Sequence, residues 1–351
     1  MTRLGAWGLA GALGAALLTG CARDSRTVLT IYTPHDVALR TEIEVAYEHA
    51  HPDVDVRWVE LGSQGIIDRL RRERNAPVAD LWFGAPADRF EVAAREGLLS
   101  PYTPTWSTQV GPAGRGRDGS WFGVFRTPLV FGYNTEAVLA ANAPRRWEDL
   151  ASPAWRGRIV LRDPRASGSM QTMAAAIHVR AVREQGSSAS GASWLSALDA
   201  NVASYAASPA ALYQQLGRKD GVLTVWNLPE LAALRTGSKL PVAWRVPEDG
   251  VPVVIDGIAL VAGGAAPDIA RDFYEFATST PMLTRIARRL GRWPMREDIP
   301  ADSLPVWARD AQQSWRVLSL DGALLADSID AWMRPWVARI AARPTPARRR
   351  S

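Results

Sequence analysis

Ser167-Gly168-Ser169 is the segment best suited to holding a small anion. It follows a short apolar run and Asp163-Pro164, and it opens a helical pattern. The first N–H groups of a helix lack intrahelical acceptors, and the helix dipole adds partial positive charge there. Gly168 lets a ligand approach the backbone, while Ser167 has a second role open to it as an N-cap. His35 and Asp36 follow the first apolar run. Ligand contact is one reading; an N-cap by Asp36 beside a surface histidine is the other. Gly62-Ser63-Gln64-Gly65 ends the second run, as a source of N–H donors or as a plain tight turn. Trp226 offers a flat face for stacking, with Asn227 to hydrogen-bond beside it, or it is core. Asp256 and Arg126 lie in the two longest β-type runs. Asp256 either binds a ligand hydroxyl or amine or orders a hinge; Arg126 either meets an anion or forms an ion pair.

Nucleophilic chemistry has few candidates, because the chain holds four histidines and one cysteine. Gly-x-Ser-x-Gly, His-Glu-x-x-His and Walker patterns are absent, which argues against an enzyme. His49 and His51 are two residues apart at a helix end and do not share a face, so they make a poor metal pair. His178 sits in an apolar helical pattern as a packed side chain. No cofactor and no metal set is expected. The net charge of +5 is modest, with acidic residues interleaved throughout. No basic stripe for nucleic acid results. The cluster Arg348-Arg349-Arg350 follows a proline-containing stretch and reads as a solvated tail.

The positioning elements follow from periodicity. Val28–Tyr32, Val54–Val59 and Ala79–Phe83 are strand-like, and helical spacing follows each at 39–50, 66–74 and around Phe90-Ala93-Ala94. This β-α-β-α-β-α order predicts a parallel sheet with helices on its faces. The runs 121–134 and 251–261 are too long for one flat strand in a compact lobe and predict crossovers between two lobes. The second lobe takes strands at 159–161 and 221–226, helices at 168–184, 194–200 and 209–216, and a flexible Gly/Ser stretch at 186–191. Further helices are expected at 269–278, 282–290 and 320–341. Ligands of open α/β sheets bind at the carboxyl ends of strands, so the loops that follow the strands are the places to look.

At the N-terminus, Arg3 precedes the uncharged run Leu4–Leu18, shorter than the roughly 20 residues a membrane span needs. It ends in Leu18-Thr19-Gly20-Cys21, which reads as a signal peptide and lipobox with lipidation at Cys21. Cys21 is the only cysteine, so no internal disulfide is available.

Several segments then carry a resemblance: Leu29-Thr30-Ile31-Tyr32, Ala79-Asp80-Leu81-Trp82-Phe83-Gly84, Leu129-Val130-Phe131-Gly132-Tyr133-Asn134, Trp147-Glu148-Asp149-Leu150, Asp163-Pro164 with Ser167-Gly168, and Val254-Ile255-Asp256-Gly257-Ile258. In this order they resemble the extracellular solute-binding proteins that include ferric-ion-binding proteins and relatives for phosphonates, thiamine, polyamines and phosphorylated sugars. The resemblance covers about residues 27–340. It implies a periplasmic-binding-protein type II fold, two α/β lobes around a cleft, serving an ABC permease and its ATPases. Ferric-binding relatives use a tyrosine pair, and that position reads Trp226-Asn227 here. Their carboxylate position reads Gly84-Ala85-Pro86, which places Gly84 at the cleft. Ferric iron is thereby the alternative to a small organic anion.

The expected organisation is a signal peptide (1–20), a lipidated linker (21–27), lobe 1 (28–125 and 254–300), lobe 2 (126–253), C-terminal helices (301–341) and a basic tail (342–351). The expected protein is a monomer on the outer side of a membrane, held there by its N-terminal lipid. It captures a small-molecule ligand by hinge closure and hands it to the permease, or presents it to a receptor.

Overall fold

The computed structural model describes residues 25–318, 320 and 322–343. The leader, Cys21 and the Arg348-Arg349-Arg350 cluster lie outside the described residues.

The first part of the chain alternates strand and helix: β1 (Thr27–Thr33), α1 (Val37–Ala50), β2 (Val54–Glu60), α2 (Ser63–Arg72), β3 (Leu81–Pro86), α3 (Ala87–Arg95) and the short β4 (Leu99–Ser100). Then come the long β5 (Phe122–Asn134), β6 (Ile159–Arg162), α4 (Gly168–Gln185), α5 (Ala189–Asn201), β7 (Val202–Ala206), α6 (Pro209–Arg218), β8 (Leu223–Asn227), α7 (Leu228–Thr236) and β9 (Val242–Arg245). The last described elements are β10 (Val251–Val261), α8 (Pro267–Ala277), α9 (Thr280–Leu290), β11 (Trp293–Pro294), α10 (Val306–Ser314), β12 (Val317–Leu318) and α11 (Gly322–Ala341).

β1 pairs in parallel with β2 and β3, in the βαβ arrangement that the alternating pattern predicts. β10 runs antiparallel to β3 on one side and to the first half of β5 on the other. The second half of β5 leaves that sheet. Leu129–Asn134 pairs instead with β8 and β9, while β6 joins β8 to β7. Two sheets are therefore linked through β5, as a run too long for one lobe requires. Asp256 sits where the register of β10 shifts against both β3 and β5. Irregular pairing of this kind bends strands and re-aims side chains.

Apolar packing follows the two sheets. One cluster joins Phe131, Trp147, Leu161 and Met173, whereas Leu29, Ile43, Phe83 and Phe273 belong to another and Tyr32, Trp82 and Phe90 to a third. Val254, Ala287 and Trp293 pack with the first of these. The C-terminal helix is pinned to it by polar tips: Trp336 donates from Nε1 to the Tyr205 hydroxyl at 2.7 Å, and Trp332 stacks on His178 at 4.9 Å.

Several boundaries differ from the periodicity. α2 begins at Ser63 with Gly62 as its N-cap residue, so Gly62–Gly65 is a helix start and not a separate turn. α5 begins at Ala189, inside the Gly/Ser stretch expected to be flexible, because burial of Gly191 against His178 offsets the low propensity. β3 runs on to Pro86, β7 and β9 are too short or too mixed in pattern to show in sequence, and α10 lies within the 301–341 span expected to hold helices. No helix among the described residues is long and apolar enough to cross a membrane.

Candidate functional site

The carboxyl ends of β1, β3, β6 and β8 meet between the two sheets. α4 starts there, with Ser167 as its N-cap accepting from the Met170 N–H. Gly168 is close enough to the other half that a Cβ would stand 2.5 Å from Pro86 Cδ and 3.0 Å from Ser63 Oγ. A Cβ on Gly62 would stand 2.5 Å from the carbonyl oxygen of Ala166. The loops after β2, β3 and β6 thus touch through glycines, because no other residue permits that approach.

Beside these glycine contacts lies a polar cluster. Ser169 Oγ donates to Asn227 Oδ1 at 3.1 Å, and Asn227 Nδ2 donates to Glu230 at 3.0 Å. Glu230 also accepts from the Tyr213 hydroxyl, which in turn accepts from Trp226 Nε1. Arg292 reaches Glu230 at 3.7 Å and pairs directly with Asp36. Burial opposes the Arg292 charge, but Asp36, Glu230 and Asp256 more than offset it and raise its pKa. Burial raises the pKa of Glu230, with Arg292 acting against that shift. Asp36 resists burial and stays below the usual carboxylate range because Arg292 and the Leu39 N–H hold its charge.

His35 is buried and its Nε2 has no hydrogen-bond partner. Burial, then the charge of Arg292, drives its pKa far below the ordinary 6.5, so the ring is neutral. It lies edge-on to Phe83 and against Gly84, whose φ is +92°. A Cβ on Gly84 would stand 2.5 Å from His35 Nε2. Ala85 follows with φ of 143°, which strains a residue other than glycine. Asp256 lies beside this bend and accepts from Thr127 Oγ1 at 2.6 Å, and the nearby Ala85 N–H favours its charged form. Burial pushes the Asp256 carboxyl up to about 6.

The structure therefore brings together His35, Asp36, Gly62, Ser63, Gly84, Ser167, Gly168, Ser169, Asn227 and Asp256. It separates two candidates from the open part of the site. Trp226 is 4% exposed and belongs to the apolar core, with its Nε1 tied to Tyr213, so its ring is not a stacking platform. Arg126 is exposed on the face of β5 opposite Phe125 and Thr127, since successive strand residues alternate. Asp36 caps α1, and His35 is buried instead of lying at the surface. Arg162, Tyr213, Glu230 and Arg292 were not singled out in sequence. The only signal for Arg162 was a charge at the end of an apolar strand; Arg292 had none.

Two open grooves lie elsewhere. One of about 560 Å³ is lined by Thr105, Gln109, Glu275 and Asp298, and one of about 480 Å³ by Gln64, Arg71, Asp88 and Asp330. Several of their polar groups are already paired, for example Glu275 with Tyr102 and Thr105. The first groove lies away from the carboxyl ends of the parallel strands; the second borders the loops after β2 and β3, but its Arg89 is already held by Asp88 and Gln64, so the polar cluster is the stronger candidate. Among the described residues no group of three or more His, Cys, Asp or Glu side chains is placed to hold a metal ion.

The chain is 26% identical over 310 residues to a probable ABC transporter periplasmic-binding protein of Sinorhizobium fredii, covering 87% of this chain and 84% of the relative. It is 25% identical over 291 residues to a putative 2-aminoethylphosphonate-binding periplasmic protein of Salmonella typhimurium, covering 80% and 82%. The solved structure of the periplasmic binding protein AfuA from Actinobacillus pleuropneumoniae, with fructose-6-phosphate bound, superposes with a TM-score of 0.78 at 21% identity. That superposition covers 91% of this chain and all of the other (100%). The fold is thus the two-lobed periplasmic-binding-protein type II fold. Residues 76–316 match the bacterial extracellular solute-binding proteins, and the chain belongs to that family.

Proposed function

We propose that this chain is the substrate-binding lipoprotein of an ABC importer, and that it captures a small organic anion bearing a phosphate, phosphonate or carboxylate group. The observation that carries this reading is the start of α4 facing the other half of the molecule. Free N–H groups of its first turn, Gly168 and the Ser169 hydroxyl converge beside the Gly62-Ser63 and Pro86 loops. That is an anion site formed by one half and covered by the other. The Salmonella relative is named for an aminoalkylphosphonate, and the AfuA structure holds a sugar phosphate; both names support the same ligand class.

Binding without chemistry is the mechanism. The anion docks at α4 on the half built around β6 and β8, the strands β5 and β10 bend, and the Gly62 and Pro86 loops close over it. Closure is favoured by as much as the ligand prefers the closed form. The lobes are assigned to 28–125 with 254–300 and to 126–253, with the helices at 301–341 packed behind. A Cys21 lipid anchor on the outer side of a membrane completes the reading, with permease and ATPase subunits as partners and a monomer as the working unit.

The test is thermal unfolding of the purified full-length chain with organic phosphates, phosphonates, carboxylates and Fe³⁺. A ligand that binds only the folded state raises the melting temperature. A shift with a phosphorylated or phosphonate compound, and none with iron, supports the reading. A shift with Fe³⁺ alone replaces it with ferric transport.

A further inference from the structure

Four arginines are buried among the described residues: Arg89, Arg162, Arg292 and Arg296. Three have a carboxylate partner. Arg89 pairs with Asp88 at 2.8 Å, Arg296 with Asp298 at 2.5 Å, and Arg292 with Asp36. Arg162 is the exception. It is 5% exposed and makes one hydrogen bond, from Nη1 to the carbonyl oxygen of Ala206 at 2.5 Å. Its buried Nε has no partner, and no carboxylate among the described residues lies within ion-pair distance.

A buried guanidinium without a counter-charge is costly, and a guanidinium offers five N–H donors. A strand contact does not explain it. β6 is already held to β7 by the ladder Ile159–Arg162, which needs no charge. The position is informative instead. Arg162 ends β6, residues 163–167 separate it from α4, and the acidic groups that bear on it are Asp163, then Tyr213 and Glu230. Tyr213 and Glu230 belong to the hydrogen-bonded chain that runs through Asn227 to Ser169. The unpaired cation therefore acts electrostatically on the groups that lead to the start of α4, without a hydrogen bond to them.

We propose that Arg162 is the counter-charge of the ligand, neutralising a phosphoryl or phosphonyl dianion whose other oxygens are held by the first-turn N–H groups of α4 and Ser169. The inference rests on the function proposed above and sharpens it. A helix N-terminus alone offers about half a positive charge, which suits a monoanion such as a carboxylate. A full guanidinium beside it matches the second charge and the forked oxygens of a phosphoryl group. The ligand-free protein bears the desolvation of this cation, and the ligand relieves it. Burial lowers the Arg162 pKa, with Asp163 acting against that shift, in keeping with an ion short of counter-charge.

The experiment compares the full-length wild type with Arg162→Gln and Arg162→Lys. Calorimetric titration uses methylphosphonate, 2-aminoethylphosphonate and fructose 6-phosphate as probes, and melting is followed without ligand. The expected result is binding of at least one probe by the wild type, roughly 10- to 100-fold weaker in Arg162→Gln. Arg162→Lys recovers part of that loss. The ligand-free melting temperature of Arg162→Gln stays level or rises, because an uncompensated buried charge is gone. Wild-type affinity in Arg162→Gln overturns the role of Arg162 and leaves the wider function standing. A fall in both affinity and ligand-free melting temperature, without rescue by lysine, makes Arg162 a structural strut and also overturns it. Failure of the wild type to bind any probe overturns the phosphate and phosphonate reading itself.

Discussion

Arg292 stands 3.7 Å from Glu230, although the two residues come from elements far apart in the chain. Arg292 follows α9, which packs on α1, and also pairs with Asp36 at the head of α1. Glu230 lies in the first turn of α7, which packs on the β5–β9 side. One guanidinium thereby links both halves at the base of the site, and its position is set by two carboxylates distant in sequence.

Removing that guanidinium leaves Asp36 and Glu230 facing each other without compensation. Arg292→Met is expected to lower stability by about 3 kcal/mol, the low end for a broken buried pair because Asp36 is partly exposed. Urea unfolding of the two proteins measures the difference. The further change Glu230→Gln in the Arg292→Met background restores part of it, since one stranded charge disappears.

Gly168→Ala places a methyl group against the Pro86 ring, which would stand 2.5 Å away. On the hinge closure proposed above, the clash arises only when the halves meet. Ligand affinity is expected to fall by about 5- to 150-fold, which corresponds to an overpacking cost of about 1–3 kcal/mol. Unfolding of the ligand-free protein is expected to change little. Small-angle scattering at saturating ligand then shows a more extended Gly168→Ala protein than wild type; equal profiles and equal affinity would refute the closing contact.

Gly84 and Ala85 make opposite predictions from neighbouring positions. Gly84→Ala meets His35 Nε2 at a φ of +92°, so it lowers the melting temperature and costs about 1–3 kcal/mol. Ala85→Gly relieves a φ of 143° and is expected to raise the melting temperature by a few degrees. A destabilised Ala85→Gly protein would show that the bend stores no strain.

Asp256 gives a pH dependence of defined sign. Its folded-state pKa is raised from 3.8 to about 6 by burial. The folded protein therefore binds the proton more tightly than the unfolded chain does. The associated stability is fully present below about pH 4 and is lost as pH rises through 6. Asp256→Asn removes this dependence. The stability of the variant relative to wild type is expected to increase between pH 4 and pH 7 by up to about 3 kcal/mol and then level off. Paired urea titrations at pH 4.5 and 7.5 measure it; a constant difference would mean that Asp256 does not titrate in that window.

The sequence by itself determined the elements and their order. Apolar alternation at Val54–Val59 and helical spacing at Leu39, Ile43 and Tyr47 are local signals, and both elements stand where that pattern puts them. The same holds for β5, whose second half leaves the first sheet to pair with β8 and β9; β10 stands where its apolar run puts it, but among the described residues it pairs with β3, β4, the first half of β5 and β12 and not with the second sheet. Ser167 before Gly168 marked the start of α4, because capping chemistry acts within one turn. What only the tertiary structure decided was which charges meet. Arg162 and Arg292 look like any other arginine in an arginine-rich chain. Their meaning comes from burial, and from a partner present in one case and missing in the other. Trp226 shows the converse: a residue type suited to ligand stacking is turned inward, because the packing of β8 against β5 places it in the core. Charge pairing and desolvation depend on distance through space, and the sequence records distance only along the chain.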